Sequence, residues 1–293
     1  MSAQSSGANN QRGLVLAAHG ARDERTMEAT RALARLVSVE LPDVPLEMGV
    51  LEFARPTIGE AIDRLAGRGV SRATVVPLFL AAGAHVQRDI PDIIREKVAH
   101  HPRIALNPTP HIGSHPSVLA IAAARFRAAL AGSQGRVPRA EDDGRSLVPR
   151  HDDTLAESKV ADEQPAAPGP SDCGLIVLAH GSRRGEALEE THRFTERLRA
   201  ELGVDHATCG FLSMGQPRSD IVLREAAGWP VDRVVVFGHF LFRGRMIDTV
   251  KQLVSATMAG NRSKQWLAAG PLGTGRELAQ AAAELWRSAT RDA

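Results

Sequence analysis

Short, mostly apolar runs alternate along this chain with longer stretches in which apolar positions recur every three or four residues. Leu14–Ala18, Leu46–Val50, Thr74–Pro77 and Ile104–Leu106 are the short runs of the first half. They suit strands covered on both faces, where no polar alternation is needed. Between and after them, Glu24–Leu41, Thr57–Ala66, Ile90–His100 and Pro116–Leu130 carry the spacing of amphipathic helices. Pro56 and Pro91 suit first-turn positions, and Gly67 and Gly69 suit a helix exit. The small-residue stretch from Ala81 through His85 to Pro91 predicts a mobile loop. Strand and helix in alternation predict an α/β fold, a parallel sheet with helices on both faces.

The pattern then repeats. Gly13-Leu-Val-Leu-Ala-Ala-His19-Gly20 recurs as Gly174-Leu-Ile-Val-Leu-Ala-His180-Gly181, with the two histidines 161 residues apart. The same offset of 161 pairs Pro56 with Pro217, Arg72 with Arg233, Phe79 with Phe240, Gly83 with Gly244 and Pro110 with Pro271. A register that holds from first strand to last turn means two tandem copies of one small parallel-sheet domain. In the second copy Leu175–Ala179, Thr208–Phe211, Arg233–Phe237 and Trp266–Ala268 are the expected strands. Gly132 to Asp172 is rich in Pro, Ala, Gly and mixed charge, with few large apolar residues. Such a stretch buries too little to offset its ordering entropy, which predicts a flexible linker. The expected organisation is therefore a first domain over 13–131, a linker over 132–172 and a second domain over 173–293.

Composition narrows the function classes. A net charge of +2 on 293 residues demands no polyanionic partner, so neither nucleic acid nor membrane is expected. Cys173 and Cys209 form neither a disulfide framework nor a CxxC pair. Met1 to Arg12 is polar and lacks the apolar core of a signal peptide, and no apolar run is long enough to cross a bilayer. A cytoplasmic location is expected.

Candidate chemistry follows from fold class. In open parallel sheets, ligands bind beyond the carboxyl ends of the strands. His19 follows the first strand, Glu52 the second, and His85 lies in the loop after the third. All three are thus expected at one rim, as a metal or proton-transfer site requires. In the second copy His180 matches His19, but Ser213 stands where Glu52 would be and Met246 where His85 would be. A scaffold kept while two of three candidate groups are lost points to the first copy as the working one. The turn after the first strand, His19-Gly20-Ala21-Arg22, is neither GxGxxG nor GxxxxGK[ST], which disfavours a nucleotide-binding domain.

These residues resemble the class II sirohydrochlorin chelatases. The family's strand-His-Gly-Ser pattern is similar to Leu16-Ala-Ala-His19-Gly20-Ala21, with Ala21 in place of the usual Ser. Its Phe-Leu-Glu-x-x-x-Pro segment resembles Val50-Leu51-Glu52-Phe-Ala-Arg-Pro56, and its Pro-Leu-Phe-Leu-x-x-Gly-x-His-Val-x-x-Asp-Ile-Pro signature stands complete from Pro77 to Pro91. Gly113-Ser114-His115-Pro116 is similar to its late Gly-x-His-Pro element. The resemblance covers nearly all of both copies. It implies a long, two-domain chelatase that inserts cobalt or ferrous iron into sirohydrochlorin, in cobalamin or siroheme biosynthesis. His19 and His85 would bind the incoming metal and Glu52 would assist.

Two imidazoles and a carboxylate suit first-row metals and leave coordination positions open for ring nitrogens. The metal is then a substrate, and no tightly bound cofactor is expected. The tetrapyrrole carries many carboxylates, so Arg22, Arg25, Arg55, Arg88 and His115 are candidates to orient it. Pairing of the two halves around the substrate is also expected. The alternative is a non-catalytic metal-binding or carrier protein, which would hold metal stoichiometrically and turn over no tetrapyrrole.

Overall fold

The computed structural model describes residues 11–132 and 172–291. The expected linker lies, but for its two end residues, outside the described residues, as do residues 1–10 of the polar start. The first half runs β1 (Arg12–Ala18), α1 (Glu24–Glu40), β2 (Leu46–Val50), α2 (Ile58–Gly67), β3 (Arg72–Pro77), α3 (Ile90–His100), β4 (Ala105–Pro108) and α4 (Pro116–Gly132). The second runs β5 (Cys173–Gly181), α5 (Gly185–Leu202), β6 (His206–Met214), α6 (Ser219–Ala226), β7 (Arg233–Gly238), α7 (Arg245–Gly260), β8 (Gln265–Ala269) and α8 (Arg276–Arg291). Each half is a four-stranded parallel sheet, ordered β2-β1-β3-β4 and β6-β5-β7-β8.

Local chemistry sets the helix starts. Asp23 caps α1 by accepting from the Arg25 N–H. Thr57 and Glu60 form a reciprocal capping box at α2. Pro56 accordingly lies just outside that helix and not in its first turn as expected. Gly69, with φ +80°, makes the exit from α2.

The segment expected to be a mobile loop is a different object. His85–Asp89 forms one π-helical turn that runs directly into α3, with the Ile90 N–H donating to the His85 carbonyl. Pro91 explains the wider turn. Its ring has no N–H for the carbonyl four residues back and would collide with it, and a π turn opens that spacing.

Successive residues of a strand face opposite sides, and each sheet uses both. Val15 and Ala17 face outward into a core shared with α2 and α3, while Leu14 and Leu16 face inward. In the second half Ile176 and Leu178 meet α6 and α7, while Leu175 and Val177 face inward. The two inner faces share a single apolar core, which contains Leu33 of α1, Phe126 of α4, Leu198 of α5 and Ala282 of α8. Within this middle layer α1 packs on α8 and α4 on α5.

Because α5 repeats α1 and α8 repeats α4, those two contacts are one contact seen twice. The halves are therefore related by a local two-fold axis, the isologous arrangement of paired subunits. Polar contacts obey the same rule. The Arg25 guanidinium donates to Asp248 at 2.7 Å, and the Gln87 amide donates to Glu186 at 2.7 Å. Glu186 occupies the position of Arg25 in the repeat, and Asp248 that of Gln87. The expected internal pairing of the halves is observed. Among the described residues, no helix is long and apolar enough to cross a membrane.

Candidate metal site

Sheet order decides which residues meet. From β1 the chain steps to β2 on one side, then returns to lay β3 on the other. The crevice at such a switch point opens beyond the carboxyl ends of β1 and β3. His19 and His85 flank it, while Glu52 follows β2 on the far side of β1. The imidazoles of His19 and His85 meet edge to face, with ring centres 4.7 Å apart and planes at 83°.

That separation can be compared with shared ligation. With metal–nitrogen bonds of about 2.1 Å and a ring centre about 1.1 Å further on, two imidazoles at about 90–110° on one ion stand about 4.5–5.2 Å apart. The observed 4.7 Å falls inside this window. Tautomers fit as well. His19 Nδ1 lies 3.1 Å from the Gly20 carbonyl, and His85 Nδ1 lies 2.7 Å from Asp89 Oδ2. A carbonyl or a carboxylate can only accept, so in its neutral form each ring carries its proton on Nδ1 and presents the Nε2 lone pair. Partial burial works against ionisation of Asp89. Hydrogen bonds and charge from Arg88 and His85 outweigh it and hold the carboxyl below its usual range.

The third expected group is placed differently. The Glu52 N–H donates to the His19 carbonyl at 2.9 Å, so the two backbones are joined at the rim. Gly20 permits this closeness, since at its φ of +88° a Cβ would stand 1.9 Å from the Glu52 carbonyl oxygen. The Glu52 side chain is exposed. Among the described residues, no three His, Cys, Asp or Glu side chains are gathered so as to hold an ion. The site is a two-imidazole pair with the Glu52 backbone joined to it at the same rim, and the three expected groups share that rim without closing round one point.

Aromatic rings border the pair. Phe53 has φ +65°, a left-handed conformation uncommon for a bulky residue, and is 52% exposed. Its ring stacks beside His19 at 6.0 Å and carries the Arg22 guanidinium 5.0 Å from its centre. Phe79 lies 6.4 Å from His19 and 6.0 Å from His85. Across the local axis, His180 is close enough to feel His19. Lost hydration and the charge of His19 hold its pKa below the ordinary value.

The candidate orienting cations divide. Arg22 borders the pair through Phe53, and Arg88 donates to Asp89 at 3.1 Å. Arg55 is paired with Glu60 at the start of α2. Arg25 bridges Asp23 and Asp248, and His115 meets Glu284 of the second half at 3.1 Å, so these two side chains join the halves. Phe53, Phe79 and the role of Asp89 escaped the reading of the sequence. Only Asp89 left a signal there, four residues after His85, the spacing that puts two side chains on one helical face.

The CbiX family model matches residues 13–129 and again residues 174–289. Sirohydrochlorin cobaltochelatase of Methanosarcina barkeri (strain Fusaro / DSM 804) is 35% identical over 82 residues, which are 28% of this chain and 63% of that protein. The sirohydrochlorin cobaltochelatase of Priestia megaterium is 22% identical over 228 residues, 78% of this chain and 64% of its own length. The chain thus spans less than two thirds of the length of either relative. Among solved structures, SirB from Bacillus subtilis with Fe3+ superposes with a TM-score of 0.74 at 17% identity, covering 95% of each chain. CbiX, described as the terminal enzyme for biosynthesis of siroheme in denitrifying bacteria, superposes with a TM-score of 0.61 at 22% identity, covering 95% of this chain and 99% of that one. At such identities the likeness shows the fold, two parallel-sheet halves in one body. Since its model accounts for both halves in turn, this chain belongs to the CbiX family.

Proposed function

We propose that this protein is a sirohydrochlorin chelatase that inserts cobalt or ferrous iron into the macrocycle, with His19 and His85 as the metal-delivering pair. The observation that carries the reading is the 4.7 Å edge-to-face approach of two imidazoles whose Nδ1 atoms are both occupied. Two nitrogen ligands hold a divalent ion loosely and leave its other positions to a flat ring. A closed four-ligand cage would trap it. Insertion exchanges one divalent ion for two pyrrole protons. Glu52, exposed on the same rim, is assigned as an acceptor of those protons, with the imidazoles freed by the departing metal as further acceptors. Arg22 and Arg88 are assigned to the carboxylates of the substrate.

The test follows metal insertion by the absorbance change of the tetrapyrrole, with Co2+ and Fe2+ in parallel. His19→Ala and His85→Ala are expected to lose at least about 100-fold in rate, and Glu52→Ala somewhat less. His180→Ala keeps most of the activity. Full activity in His85→Ala with none in His180→Ala would assign the work to the other half. Wild-type protein that retains Co2+ but never changes the tetrapyrrole spectrum would instead be a metal carrier.

A further inference from the structure

The second half supports the segment that carries His85. The main-chain N–H of Ala82, three residues before His85, donates to Glu190 Oε2 of α5 at 2.7 Å. The same oxygen stands 3.4 Å from His111 Nε2, and the other nitrogen of that ring donates to the Phe79 carbonyl at 3.1 Å. Glu190 and His111 thus brace residues 79–82 from both sides. Two outer contacts continue the line, with the Arg184 guanidinium donating to Gln87 Oε1 at 2.6 Å and the Gln87 side-chain amide N–H donating to Glu186. The outer pair is exposed and adds little alone. Glu190 is partly shielded, with 28% of its side chain exposed.

The local axis supplies an internal control. Positions related by it to Glu190 and His111 are Ala29 and Leu272, both packed in the shared apolar core. The scaffold therefore stands without a carboxylate or an imidazole at these positions. Both appear on the side that bears His85 and neither on the side that bears Met246. A purely architectural demand would be felt on both sides of the axis.

We infer that Glu190 is a positioning residue for the metal pair, supplied by the half that lacks a complete site of its own. It fixes the backbone from which His85 reaches His19. This rests on the reading of His19 and His85 as metal ligands, and the test separates the two. Co2+ alone is titrated into the full chain, followed by its visible absorption, and amide hydrogen exchange is measured over residues 79–89. Glu190→Ala is expected to bind Co2+ about tenfold more weakly, the loss usual for an outer support of a ligand, and to exchange the Ala82 amide faster. Glu190→Gln, whose side-chain carbonyl can still accept that N–H, recovers most of the affinity. Glu189→Ala, on the same helix in an exposed pair with Arg193, changes neither readout.

The double variant Glu190→Ala, His111→Leu installs the combination the fold already accommodates on its other side, so it folds and loses affinity as well. Wild-type Co2+ affinity and wild-type Ala82 protection in Glu190→Ala, or in the double variant, overturn the assignment. Unchanged Co2+ binding in His85→Ala would sink the ligand reading instead, and the exchange data would still decide whether Glu190 holds the segment.

Discussion

His239 is a histidine spent entirely on packing. It is 6% exposed, stacked on Phe194 with ring centres 4.2 Å apart, and among the described residues its Nε2 has no hydrogen-bond partner. Burial first, and the charge of nearby His111 second, push its pKa down to about 3 from an ordinary 6.5. The folded protein thus holds this ring neutral where the unfolded chain would protonate it. The resulting contribution is fully present above pH 6.5 and is lost as pH falls from there toward about 3. The slope is up to about 1.4 kcal/mol per pH unit. In the first half the equivalent position is Leu78, which is buried. His239→Leu is therefore expected to leave stability near pH 7.5 almost unchanged and to flatten the acid limb. Urea midpoints at pH 7.5, 6.0 and 5.0 for both proteins measure this, and parallel curves would contradict it.

At the scale of elements, the π turn before α3 controls where His85 aims. Closing it to α-helical spacing turns His85 by roughly 100° relative to α3. Pro91→Ala restores the missing N–H and is expected to relax the turn in that way. The protein should then melt no lower than wild type but bind Co2+ more weakly and lose the contact between His85 and Asp89. Wild-type Co2+ binding in Pro91→Ala would show that the proline does not set the turn. This element also marks the limit of what the sequence makes legible. The strands expected at Leu14–Ala18 and Leu46–Val50 are found at Arg12–Ala18 and Leu46–Val50, because short, mostly apolar runs between helical stretches leave one solution. Residues 81–89 have no apolar period, so small side chains read as a loop and the effect of Pro91 on its preceding carbonyl went unseen. The meeting of His19 with His85 was legible from strand ends alone. The partners of Arg25 and His115 were not, since Asp248 and Glu284 lie more than a hundred residues away in sequence and only the packed halves bring them close.

For the whole molecule, the shared inner core predicts that the halves do not melt separately. Its members come from α1 and α4 of one half and α5 and α8 of the other, so opening either half exposes both. All three tryptophans, Trp229, Trp266 and Trp286, belong to the second half. Tryptophan fluorescence therefore weights that half, with Trp286 also donating to the Gly13 carbonyl of the first, while far-ultraviolet circular dichroism reports both halves alike. The two signals are expected to trace one coincident transition in urea, and separated midpoints would mean that the inner layer couples them weakly.

The local two-fold axis has one more consequence. Two separate, identical subunits meeting about such an axis must change in step, because any side chain written on one is copied on its twin. Joining the copies in one chain lifts that constraint and fixes their ratio at one to one. Glutamate can then face alanine, and imidazole can face thioether, across the same line. The molecule keeps the economy of a twice-used interface while acquiring a front and a back.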